Sequence, residues 1–100
     1  MIIYNVTVTV DLDIEKDWVE WMKSKHIPDV INTGCFEASR FCRIIKNGQE
    51  GVSYSIQYAA KDMAVVHKYQ VQFAPKLQKE HIDRYKDKAL AFRTLMEVID

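Results

Sequence analysis

The sequence has no excess of charge of either sign. Its 100 residues include 14 Lys and Arg against 14 Asp and Glu, which gives a formal net charge of zero with neutral histidines. A chain without net positive charge lacks the long-range attraction that draws proteins to nucleic acid or to anionic membranes. We therefore expect neither of these as a partner.

Long apolar runs and targeting segments are also lacking. No stretch approaches the roughly 18 consecutive apolar residues that a membrane span needs, and the opening Ile2-Ile3-Tyr4 run has neither the basic flank nor the long apolar centre of a signal peptide. We find no linker, internal repeat or low-complexity segment. Because 100 residues suit one modest core, a single domain over residues 1–100 is expected.

Cysteine and histidine are scarce. Cys35 and Cys42 are expected on one strand, where their odd separation points them to opposite faces, so no disulfide is predicted and a reducing cytoplasm is the expected location. The three histidines are 41 and 14 residues apart, and the chain has no HExxH or CxxC motif. This spacing offers no local metal template, and we expect no metal or other cofactor.

The first half of the chain alternates between strand and helix patterns. Residues 2–11 are rich in β-branched side chains that alternate in polarity, which predicts a strand. Asp11 then begins a helical pattern, which should falter just before Pro28 and resume for one turn up to residue 32. Residues 36–46 and 52–60 read as two strands of a hairpin joined by a Gly-containing loop over 47–51.

The second half repeats the pattern. Asp62 is a plausible cap for a helix that Pro75 should break or kink, and residues 89–99 read as the last strand. The complete order is strand, helix, strand, strand, helix, strand. This order predicts an α+β, ferredoxin-like βαββαβ fold, with a four-stranded antiparallel sheet and both helices on one face.

Alternation assigns most strand residues to one of two sheet faces. The face expected beneath the helices is apolar and comprises Val6, Val8, Val10, Tyr54, Ile56, Phe92 and Met96. The opposite face is expected to be polar but poor in charge, with Asn5, Thr7, Thr9, Ser53, Ser55, Gln57, Arg93 and Glu97. The second strand is ambiguous, because Arg40 and Cys42 share one phase whereas Phe41 and Arg43 share the other, and a bulge could reconcile them.

A polar face with few charges is typical of a surface that something else covers. A second copy packed face to face would close a β-barrel with the helices outside, so we expect a homodimer. A solvated face in a monomer and a different protein partner are the alternatives.

Several motifs resemble a known family. They are Trp18-x-x-Trp21-Met22, His26-Ile27-Pro28, Thr33-Gly34-x-Phe36, Gln57-Tyr58, Phe73-Ala74-Pro75, Glu80-His81 and Phe92-Arg93-Thr94. Together they resemble a small bacterial family of unknown function in the dimeric α+β barrel group, alongside antibiotic-biosynthesis monooxygenase-like and YCII-like proteins. The resemblance covers nearly the whole chain and implies the fold and a homodimer. It implies no reaction.

Five polar residues are the candidates for ligand binding. Asn5, Gln57 and Arg93 are predicted to line a cavity, since buried polar groups need partners, although dimer packing would also satisfy them. His26, at the expected end of the first helix, is either a ligand-binding group or a cap for terminal carbonyls. His81 has the same two interpretations, a ligand-binding group or a structural residue. No catalytic residue is predicted.

Two functions follow from this sequence. The first is a non-catalytic homodimer that binds a small molecule or serves as an accessory protein. The alternative is a cofactor-free monooxygenase- or isomerase-like enzyme acting on a small aromatic metabolite, which would need a cavity of about 300 Å³ or more. An RNA-binding module is disfavoured, because Tyr4, Tyr54 and Tyr58 share the phase of the apolar residues and should be buried.

Overall fold

A computed structural model describes residues 1–45 and 51–100 of the chain. Within them, four strands form one antiparallel sheet in the spatial order β2-β3-β1-β4, with β1 at Ile2–Val10, β2 at Ala38–Arg43, β3 at Val52–Ala60 and β4 at Ala89–Glu97. The predicted loop over 47–51 lies outside the described residues except for Gly51. The predicted ferredoxin-like arrangement is confirmed, with helical segments between β1 and β2 and between β3 and β4.

The first helical stretch is continuous through Pro28, and where the sequence predicts that it falters, just before Pro28, the helix widens into a π turn without a break. A 3₁₀ turn at Leu12–Ile14 leads into helix α1 at Glu15–Trp21, a π-helical turn at Met22–His26 and helix α2 at Ile27–Ile31. Proline lacks an N–H and its ring crowds the carbonyl four residues earlier. The wider π turn lies directly before Pro28, and a π turn commonly relieves this kind of crowding within a helix.

The second helical stretch follows the prediction more closely. Helix α3 spans Met63–Gln72, and the Asp62 carboxylate caps it by accepting a hydrogen bond from the Val65 amide at 3.0 Å. Helix α4 spans Ala74–Tyr85 with Pro75 in its first turn. The two helices are separated at Phe73, whose φ of −121° leaves the helical range.

The register of β4 overturns the predicted faces of that strand. Cross-strand partners share a face, and Val6 pairs with Arg93 whereas Thr7 pairs with Phe92. Arg93 and Glu97 therefore lie on the helix side, while Phe92 and Met96 lie on the other side. The alternation of polar and apolar residues predicted the wrong faces because β4 has apolar residues in both phases. Its small residues Ala89 and Ala91 pack beneath the helices, and its larger ones do not.

Strand β2 pairs with β3 residue for residue, so the proposed bulge is not needed. Phe41 lies opposite Ile56, on the helix side, and its ring contacts Trp18 at a centroid distance of 5.6 Å. Arg40 and Cys42 face the other way. Cys35 precedes the strand instead of lying on it, and both cysteines are free thiols.

The sheet therefore has two unlike sides. The helix-covered face holds the core, which comprises Tyr4, Val8, Val10, Phe41, Tyr54, Ile56, Tyr58 and Ala60 from the strands, packed against residues such as Trp18, Met22, Val66, Tyr69 and Leu77. We call the other side the open face, and its residues are Ile3, Asn5, Thr7, Thr9, Ala38, Arg40, Cys42, Ser53, Ser55, Gln57, Ala59, Leu90, Phe92, Thr94 and Met96.

Candidate ligand-binding site

A small cavity lies between the helices and the sheet, next to β1 and the edge strand β4. Its apolar wall is made by Val6, Val8, Met22, Val30, Ile56, Leu77 and Ala91, and its polar wall by Tyr4, His26, Tyr58, Tyr69, Gln78, His81 and Arg93. The cavity has a volume of about 30 Å³, enough for one or two water molecules. This volume is well below the roughly 300 Å³ of a site for a drug-sized ligand.

The cavity brings together three of the five residues predicted to bind a ligand. His26 comes from the π turn, His81 from α4 and Arg93 from β4, and the two imidazole rings lie 5.8 Å apart between centroids. Asn5 and Gln57 do not line this cavity, because they are cross-strand partners on the open face. The prediction that they share a cavity with Arg93 is therefore wrong, for the same reason that β4 was misassigned.

His81 is held in one orientation by a tryptophan 63 residues away in the sequence. The indole Nε1 of Trp18 donates a hydrogen bond to His81 Nε2 at 2.9 Å, and the His81 side chain is buried. Since Nε2 accepts, the proton of the neutral ring lies on Nδ1. No local pattern in the sequence links Trp18 to His81.

His26 stacks on Trp21, with centroids 5.1 Å apart and planes inclined by 29°. It lies within a continuous helical stretch and not at a helix end, so it is not the terminal cap that the sequence suggested. Its Nδ1 atom is buried and has no hydrogen-bond partner among the described residues. Buried polar atoms are nearly always hydrogen-bonded, so this nitrogen is expected to bind a ligand or an ordered water.

Burial is the main cause that lowers the pKa of both His26 and His81 to about 4, and the positive charge of Arg93 contributes to the lowering of each. For His26 the neighbouring His81 is the second cause. Both rings are consequently neutral near pH 7. Burial also raises the pKa of the Tyr58 and Tyr69 phenols, which keeps their hydroxyl protons available as donors.

Arg93 contributes the charge of the site. Its side chain is exposed, and among residues 1–45 and 51–100 it forms no ion pair. No Asp or Glu is among the described residues that form the cavity wall. These residues therefore combine the Arg93 cation with neutral donors and acceptors.

Sequence reasoning missed the tyrosines and Gln78. The spacing of Met63, Val66, Gln70 and Phe73 predicts that these residues form the inward row of the second helical stretch, yet Met63 and Gln70 are exposed while Tyr69 is buried. Tyr69 follows Val66 by three residues, a spacing that also belongs to one helix face. This spacing was the available signal.

The open face carries its own polar network. Ser55 Oγ donates to Asn5 Oδ1 at 2.6 Å, and Asn5 Nδ2 donates to Thr7 Oγ1 at 3.1 Å. Beside this network runs an apolar row from β4, in which Leu90 is 63%, Phe92 61% and Met96 39% exposed. The open face is thus less polar than the sequence indicated.

The described residues contain no group of three His, Cys, Asp or Glu side chains placed to hold a metal ion. None of the helices they form is long and apolar enough to cross a membrane.

The fold and cavity define a ferredoxin-like α+β protein with a small site between sheet and helices. A model of the domain-of-unknown-function family DUF4286 matches residues 1–99, and the chain belongs to this family. The predicted family resemblance is thereby confirmed. No curated protein matches the sequence.

Solved structures with the same fold are distant in sequence. An ethyl tert-butyl ether d (EthD) family protein from Bacillus halodurans c-125 has a TM-score of 0.71 at 10% identity, covering 99% of this chain and 100% of its own. A dimeric ferredoxin-like protein from an uncultured marine organism also has a TM-score of 0.71, at 16% identity, covering 99% and 95%. A mutant of MhuD with two manganese protoporphyrin IX molecules bound per active site scores 0.71 at 15% identity, covering 100% and 96%.

Proposed function

We propose that this protein is a homodimer that binds a small molecule in the cavity between its helices and its sheet. The observation that carries the proposal concerns His26, a residue of the cavity wall whose buried Nδ1 lacks a hydrogen-bond partner among the described residues. Such an atom costs about 1–3 kcal/mol of desolvation unless something binds it. A ligand group or ordered water in the cavity supplies the missing bond.

A binding role is favoured over the enzyme alternative by the size of the site. The cavity of about 30 Å³ is roughly a tenth of what a small aromatic metabolite with surrounding catalytic groups requires. Among the described residues of the cavity wall, the two histidines have no acidic partner with which to form an acid/base pair.

The open face supports the homodimer. The three strands of nine residues are about 30 Å long and the six-residue strand β2 is about 20 Å long, which at about 4.8 Å per strand gives a footprint of roughly 540 Å². Two copies would bury roughly 1,100 Å² in total, just above the 1,000 Å² expected of a specific interface. Leu90, Phe92 and Met96 form the apolar part of that footprint, and monomers rarely leave such a row exposed.

The distant structural relatives are consistent with both parts of the proposal. One is described as dimeric, and another binds porphyrin molecules in its active site. At 15–16% identity these descriptions belong to those proteins. For this chain they indicate only which properties to test.

The dimer is tested with a charge placed in the apolar row. Phe92→Arg should convert a dimer of about twice the chain mass into a folded monomer, because burying two arginines at a symmetric interface costs several kcal/mol. Light scattering gives the mass and circular dichroism the fold. Ile82→Arg is the matched control, since Ile82 is 58% exposed on α4, outside the open face, and its replacement should leave the dimer intact. A wild-type monomer at micromolar concentration would refute the homodimer.

Ligand binding is tested by NMR with a library of small fragments. A true site should show fragments that shift the imidazole signals of His26 and His81, whereas the exposed His67 on α3 provides an internal reference. Absence of any fragment that perturbs the two cavity histidines would refute the binding function.

A further inference from the structure

We propose that the cavity selects small organic anions, with the carboxylate of the ligand paired with Arg93 and its apolar body directed inward. This inference rests on the proposed binding function and specifies its ligand class. It follows from the charge and the arrangement of groups around the cavity.

The charge of the cavity is positive and uncompensated. Among the described residues that line it, Arg93 is the one ionised side chain, and no described carboxylate lies within ion-pair distance of the guanidinium. Asp29 is the acidic residue whose charge reaches His26, but it is engaged by Lys25. A guanidinium presents a planar fork of N–H donors that suits a carboxylate.

The other polar groups that line the cavity favour the same ligand class. The Trp18 hydrogen bond leaves the Nδ1–H of His81 as a donor, and the Tyr58 and Tyr69 phenols add further hydroxyl donors. The remaining wall is made by Val6, Val8, Ile56 and other apolar residues. A small organic anion satisfies both parts of this wall, because its charged group accepts hydrogen bonds from the donors and its short apolar body packs against the apolar residues.

The position of Arg93 explains how a ligand could enter the cavity from solvent. Edge strand β4 borders the cavity, and its helix-facing residues are small at Ala89 and Ala91 but exposed from Arg93 onward. An anion can therefore reach the guanidinium from solvent before its apolar part enters. The volume of about 30 Å³ suits the shortest carboxylates, and longer ones require the flexible Arg93 and Gln78 side chains to move.

The test compares carboxylates with neutral amides of the same shape. Acetate and propionate are titrated against acetamide and propionamide at constant ionic strength, with the backbone and imidazole signals of the wild-type protein as the readout. The carboxylates should bind about 10- to 100-fold more tightly than their amides. Arg93→Gln should remove that preference, and Arg93→Lys should retain part of it.

A matched control lies on the opposite edge of the sheet. Arg43 is exposed on β2, in the helix-facing phase, and Arg43→Gln should leave the carboxylate affinity unchanged. Equal affinity for carboxylates and amides, or an undiminished preference in Arg93→Gln, would overturn the anion assignment while leaving the binding function intact. If neither kind of probe shifts the cavity signals, both proposals fail.

Discussion

The helix-covered face and the open face share four strands but differ in what closes them. On the helix-covered face, Tyr4, Val8 and Ile56 are at most 3% exposed beneath helices of the same chain. On the open face, small hydroxyl and amide side chains surround an apolar row in which Phe92 is 61% exposed. A large aromatic core thus closes one face within the chain, whereas the other face is left for a second copy in our proposal.

Strand β1 shows how closely the two faces are linked. Val8 lies against the core, and its neighbour Thr7 lies on the open face opposite Phe92. A slip of one residue in the pairing of β1 would move every side chain to the wrong face. The burial of Val8 and Val10 therefore fixes the composition of the open face as well.

The strongest test of the difference between the two faces places the same charged side chain on one face and then on the other. Val8→Asp places a carboxylate at a site that is 2% exposed among apolar residues, which should destabilise the fold by more than about 4 kcal/mol and leave an unfolded chain. Thr7→Asp changes the adjacent residue to the same side chain on the open face. It should give a folded protein with weakened dimerisation.

Urea denaturation followed by circular dichroism compares these two variants, and light scattering reports their mass. Equal loss of stability in Val8→Asp and Thr7→Asp would show that the two faces are not distinct environments. An intact dimer in Thr7→Asp would place the contact surface elsewhere.

The pH dependence of stability tests the helix side alone. The folded protein protonates His26 and His81 only near pH 4, because burial lowers their pKa from the ordinary value of 6.5 to about 4. The unfolded chain binds those protons from about pH 6.5 downward. Stability should therefore fall as the pH decreases from about 6.5 to about 4, by on the order of 3 kcal/mol for each histidine.

One substitution separates the contributions of the two histidines to the pH dependence of stability. His81→Gln removes one titrating group but keeps an acceptor for the Trp18 indole, so stability measured between pH 7 and pH 4 should depend less steeply on pH than in the wild type. His67→Gln makes the same change on the exposed side of α3 and serves as the control. A pH dependence that is the same in His81→Gln and the wild type would show that His81 is not held neutral by the fold.

The sequence predicted the architecture because most elements carry a strong local signal. Strand β1 alternates in polarity from Tyr4 to Val10, Asp62 caps α3, and Pro75 separates two helices. Strand β4 lacks such a signal, since both of its phases contain apolar residues. Its face is decided by pairing with β1, a contact between the two ends of the chain that no local pattern records.

The candidate site was predicted only in part for a similar reason. His26, His81 and Arg93 were identified as polar residues near apolar patterns, but their meeting point depends on the packing of α1 and α4 over the sheet. The hydrogen bond between Trp18 and His81 and the π turn before Pro28 are both products of that packing. Neither has a sequence signature at the length of one element.

The smallest effect is expected at the centre of the open face, and it depends on what covers that face. Asn5 is only 8% exposed, accepts a hydrogen bond from Ser55 and donates one to Thr7. Asn5→Ala should keep the fold and cost about 1 kcal/mol if water can replace these bonds, but up to about 3 kcal/mol if a second copy excludes water. Unfolding of the variant and the wild type at two protein concentrations, a hundredfold apart, distinguishes the two cases. In a dimer the penalty is larger at the higher concentration, where the face is covered, whereas a penalty that does not change with concentration would mean that Asn5 acts within a single chain.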